Sequence, residues 1–121
     1  IAYTSSSSGA ASGSVSVDTG ATADQVAGRA LIIHAFDGSR IGCAILGAAT
    51  QLTLTASSFV PYYTYAGALS VSGTVGPMTT SGTTQTFYYS LSGVDPSCSS
   101  GASAKANSCG IQCAAASRCQ N

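Results

Sequence analysis

The apolar positions of this 121-residue chain recur with period two rather than with helical spacing. In Ala11 to Asp18, serines and a glycine alternate with Val15 and Val17, the pattern of an antiparallel strand with one face buried. In the stretch from Gly28 to Leu46, apolar residues run from Ala30 to Ile33, stop at Asp37-Gly38-Ser39 and resume from Ile41. This predicts two strands joined by a tight turn at the centre of the fold. Gln51 to Ala56 alternates again, with Leu52 and Leu54 on one face. Two further runs, Ala68 to Val75 and Thr84 to Ser92, are separated by a break at Gly76-Pro77. Ile1 to Thr4 reads as a short strand before a flexible turn, and Ala21 to Gly28 as one helical turn. Every long element is a strand, so the predicted class is all-β.

Composition points the same way. Ser and Thr exceed a quarter of the chain and Gly contributes 14 residues, while long-chain helix formers are scarce. Four basic residues (Arg29, Arg40, Lys105, Arg118) balance four acidic ones (Asp18, Asp24, Asp37, Asp95), which makes neither a basic patch for nucleic acid nor an acidic tail. So low a charge suits a chain whose surface is covered by sugars on its many hydroxyls, buried in an assembly, or attached to a larger protein. Five cysteines, four of them between positions 98 and 119, imply an oxidising, extracellular compartment, since no Cys-x-x-Cys pair or second His supports a zinc site. With no initiator Met, no signal sequence and no apolar run of membrane-spanning length, the chain reads as a mature product or an excised segment.

The segments Gly28-Arg29-Ala30-Leu31-Ile32-Ile33-His34 and Gly38-Ser39-Arg40-Ile41-Gly42-Cys43 resemble the last two strands of copper/zinc superoxide dismutases. The likeness is closest to the copper-only, repeat-bearing extracellular branch, because Asp-Gly-Ser-Arg follows the His strand almost at once. In that family the His binds copper, the Arg draws superoxide to the metal and the Cys forms a structural disulfide; His34, Arg40 and Cys43 match them. Residues 1–47 resemble the family's C-terminal half, including Val17-Asp18-Thr19-Gly20, and residues 66–121 its N-terminal half, with residues 48–65 as a connection. The resemblance thus implies a Greek-key β-barrel or sandwich that is circularly permuted, or completed between chains, and lacks the long metal-site loop.

The family also needs a His-x-His pair, because alternate residues of a strand point to one side and bring both imidazoles to copper. Gln112 and Ala114 stand at those two places, and His34 is the only histidine. The expectation is therefore a catalytically inert protein with no cofactor, a vestigial His34 ligand, and an Arg40 left with a structural task near Asp37 or turn carbonyls. A triad fragment of His34 and Asp37 has no identifiable nucleophile among so many serines.

The resemblance implies a Cys43–Cys119 disulfide, and Cys98 and Cys109 would close the loop between two strands. Cys113 is left over, either a thiol buried toward the barrel interior or an intermolecular bond. The expected function is an extracellular structural subunit that polymerises with itself through complementary half-barrels, with Leu52, Leu54, Phe59, Tyr62, Tyr63 and Tyr65 at the junction. Two alternatives are a copper-dependent dismutase whose ligands are completed from outside the chain, and a sugar-binding module using the aromatics.

Overall fold

A computed structural model describes residues 1–48 and 53–119. Its elements are β1 (Ala11–Asp18), α1 (Ala23–Val26), β2 (Ala30–His34), β3 (Arg40–Ile45), β4 (Gly47–Ala48), β5 (Leu54–Ala56), β6 (Val60–Pro61), β7 (Ser72–Ser81), β8 (Thr84–Ser92) and β9 (Ile111–Ala114), with 3-10 turns at Pro96–Ser100 and Ala116–Cys119. The strands form two antiparallel sheets, one in the order β1-β8-β7-β5-β4 and the other in the order β6-β3-β2-β9. The all-β expectation holds, but as two open sheets rather than a closed barrel.

The two predicted halves pair with each other inside this one chain. β1 lies along β8 over its whole length, from Ala11 opposite Leu91 to Asp18 opposite Thr84. β2 lies between β3 and β9, with Leu31 opposite both Ala44 and Cys113.

Facing side chains of the two sheets form the main core: Leu31, Ile33, Ile41, Ala44 and Leu46 meet Leu54, Val75, Met78, Phe87 and Leu91. Apart from Ala44, each such side chain contributes about 1.5–3 kcal/mol when fully buried. A second, smaller cluster covers the opposite face of the four-stranded sheet, where Ala30, Ile32 and Cys43 lie under Tyr62 and Cys119. β2 is therefore buried on both faces, which is why its sequence is an unbroken apolar run and not an alternating one.

The described part of the predicted connection, residues 53–65, is more than a linker. β5 pairs with β7 in one sheet and β6 with β3 in the other, so these residues cross between the sheets and help to build both. The break expected at Gly76-Pro77 is also absent, since β7 runs through it. The two residues fall in the register shift between Val75 and Met78, where the ladder is already interrupted and the missing proline N–H leaves no gap.

Candidate functional site

His34 ends β2 and is almost fully buried, with 1% of its surface exposed. Its position is fixed by the turn that follows and by a loop clamped onto that turn. Gly38 sits at φ +86°, in the left-handed region that a glycine adopts without strain, and this aims its carbonyl back at the His34 ring, 2.9 Å from Nδ1. The carboxylate of Asp95 accepts from the Phe36 N–H, the Ser108 hydroxyl donates to the Phe36 carbonyl, and the Cys109 N–H donates to the Ala35 carbonyl. The Cys98–Cys109 disulfide closes the same loop. Below the ring, the Tyr3 hydroxyl donates to the His34 carbonyl at 2.7 Å, and burial pushes this phenol up to about 12.

The second ring nitrogen meets Gln112: Nε2 lies 2.8 Å from Oε1 of its side-chain amide. With Nδ1 facing the Gly38 carbonyl, a neutral ring bonds Gln112 at Nε2 only when the amide turns its NH2 end to the ring, a half-turn of an amide whose two ends look alike. Both nitrogens are thus engaged inside the fold. Ala114, two residues further along β9, lies opposite Ala30 and packs on the smaller cluster.

Among the described residues, no group of three or more His, Cys, Asp or Glu side chains comes together. The copper implied by the family resemblance does not fit this donor set, and no chemical step can be routed through it.

Asp37 does not join His34. Its carboxylate accepts from the Ser39 N–H and hydroxyl, which hold it below the usual carboxylate range, while Gly38 takes the ring. Asp18 is lowered in the same way by the Thr83 hydroxyl and the Gly20 N–H.

Arg40, exposed at the start of β3, lies 5.5 Å from the centre of the Tyr62 ring, a cation–π geometry. Tyr62 is 2% exposed, sits 4.8 Å from the Tyr63 ring, and has a buried hydroxyl with no partner among the described residues. Only Tyr63 of this pair faces solvent, so the two do not form an open stacking platform.

Of the other junction residues, Leu54 is buried in the main core, with Phe59 and Tyr65 packed against it, and the Tyr65 hydroxyl accepts from the Leu69 N–H. These side chains serve the chain's own core. Leu52 lies outside the described residues.

Cys43 is bonded to Cys119 and Cys98 to Cys109, the pairs named from the sequence. Cys113 is a free thiol and is exposed, which corrects the expectation of burial. It does share a face with its neighbour Leu31, toward the space between the sheets. That space, however, opens beside β9 as a cleft of about 500 Å³, so the thiol meets solvent at the mouth.

Val17, Leu31, Leu46, Met78, Phe87 and Ile111 line the cleft, with Lys105 and Asn107 also in its lining. Sequence reasoning missed the cleft because each lining residue reads as ordinary core. The only available signal was the shortness of the apolar run at β9.

Compared with protein-family models, with curated proteins and with solved structures, the chain matches none of them. No helix among the described residues is long and apolar enough to cross a membrane.

Proposed function

We propose that this chain is a non-catalytic structural subunit of the extracellular space. In this reading it is built on a superoxide dismutase-like sandwich and assembles with copies of itself into a filament or surface polymer. The observation that carries the loss of catalysis is the His34–Gln112 pair. At a position where the resembling family has a second imidazole, this chain has an amide that satisfies the first one. A buried ring bonded at both nitrogens is a structural element and has no lone pair free for a metal.

Two disulfides suit an oxidising compartment. A chain with 7% charged residues keeps few charges on its surface to hold copies apart. Because the two halves of the fold already complete each other within the chain, assembly uses the outer edges and faces of a finished sandwich rather than exchanged halves.

Copper equilibration tests the inert site. Purified protein exposed to Cu²⁺ and then desalted retains less than one ion per chain and dismutates superoxide no faster than buffer. One tightly held ion per chain, lost in His34→Ala, would give the chain back to the dismutases.

A further inference from the structure

The outer face of the five-stranded sheet is laid out in rows by its register. Ser12 lies opposite Ser90 and Ser90 opposite Thr74; further along, Ser16 lies opposite Thr86 and Thr86 opposite Thr79. Between these rows Ser14 lies opposite Tyr88. Directly opposed residues share a face of the sheet, and here it is the solvent face. Tyr88 is 62% exposed, more than any other large apolar residue among those described.

The ring stands uncovered. On the β7 side Tyr88 falls at the register shift between Val75 and Met78, so no residue of that strand is paired directly with it. Among the described residues no second ring and no cation lies on it. The Ser16 and Thr86 hydroxyls lie 3.1 Å apart, whereas those of Tyr88, Ser14 and Ser90 have no hydrogen-bond partner among the described residues. Asp18, at one corner, is the only charged residue of β1, β7 and β8, and its carboxylate already accepts from the Gly20 N–H and the Thr83 hydroxyl.

We propose that this face binds a neutral polysaccharide of equatorially substituted pyranose units, of the β-linked glucan type, with one sugar ring stacked on Tyr88. Such a sugar carries its C–H bonds on the two flat faces of the ring and its hydroxyls around the rim. The C–H face, slightly positive, lies on the negative face of the tyrosine ring. The rim hydroxyls then meet Ser14, Thr86 and Ser90, which surround Tyr88 and both donate and accept. An aromatic centre with a border of hydroxyls is thus matched by a sugar of the same layout.

Charge and area favour this occupant over others. Nucleic acid requires Lys or Arg at the phosphates, and the three strands have neither. Without a cation the face offers nothing to an anionic glycan. Three strands about 4.8 Å apart and about 27 Å long make a strip of roughly 380 Å². A specific protein interface buries about 800 Å² per partner, and its centre is poor in serine and clustered with apolar anchors. A single extended glycan chain needs only the strip. The proposal does not depend on self-assembly.

The test uses the full chain and cellohexaose, a soluble neutral β-linked glucan, in isothermal titration calorimetry. Wild-type protein gives saturable binding. Tyr88→Ala, which removes an exposed side chain and keeps the native circular dichroism and melting temperature, binds about tenfold more weakly. Tyr88→Phe, which keeps the stacking ring, stays within about threefold of wild type. Tyr63→Ala, at the other exposed tyrosine, leaves binding unchanged.

No heat of binding from a folded chain would overturn the proposal, as would binding that Tyr88→Ala leaves intact or that is lost in Tyr63→Ala. Tighter binding of hexagalacturonate, an anionic sugar chain of the same length, would also overturn it. Self-association that Tyr88→Ala abolishes, with no uptake of cellohexaose, would give the face to a second copy and leave the structural-subunit reading standing.

Discussion

Replacing Gln112 with Leu removes the one partner of His34 Nε2 among the described residues while leaving the ring almost wholly buried. An unsatisfied buried nitrogen costs about 1–3 kcal/mol, and Gln112→Leu is expected to fall in that range. His34→Leu gives up the bonds to both the Gly38 carbonyl and Gln112. Gln112 is only half-buried, so water partly compensates its freed amide.

In the double variant, neither member of the pair is left stranded by the other. Its loss is therefore smaller than the sum of the two single losses by about 1 kcal/mol or more, a coupling well above the roughly 0.3–0.5 kcal/mol scatter of independent sites. Urea unfolding followed by tyrosine fluorescence measures all four proteins, since the chain has six tyrosines and no tryptophan. Additivity within that scatter would mean that Gln112 does not satisfy the ring, and the structural role given to the His34–Gln112 pair would fail.

Three further outcomes follow from the geometry. Cys43 and Cys119 are 76 residues apart, and losing their link in a Cys43→Ala/Cys119→Ala variant costs about 4.5 kcal/mol in the chain-entropy model; a loss under 1 kcal/mol in urea unfolding would show that the link does not constrain the unfolded chain. Cys113 titrates with Ellman's reagent as one thiol per chain in the native monomer, before any denaturant is added, and a thiol that reacts only after unfolding would contradict its exposure. Tyr3 has its phenol raised from 10.0 to about 12, so its neutral form is the one the fold favours. That contribution is complete below pH 10 and is lost as pH rises toward 12, and Tyr3→Phe flattens this alkaline fall in melting temperature.

What was legible in the sequence was whatever a single strand and its neighbours determine. The β2–β3 hairpin follows from an apolar run broken by Asp37-Gly38-Ser39, and β1 and β8 from clean alternation, because each has one face on the core and one in solvent. The helical turn at α1 falls in the short stretch from Ala21 to Gly28 where one turn was expected, and there the Thr22 N–H donates to the Gln25 side chain.

Tertiary decisions were not legible. Residues 48–65 look like a linker because β5 and β6 are only three and two residues long, too short for a period to show. The strand β7 hides its continuity behind Gly76-Pro77, since a bulge cannot be read without its partner strand. At the site, the family resemblance set Gln112 at an expected ligand position but did not show that it bonds His34. It gave the facing direction of Cys113 but not its exposure, which depends on whether a strand covers the cleft beside β9.

Electron microscopy of the purified native material tests the proposed self-assembly most directly. The account predicts fibres or an ordered polymer with a repeating subunit the size of one sandwich or one pair. A field of separate, monomer-sized particles that persists at high protein concentration would contradict it.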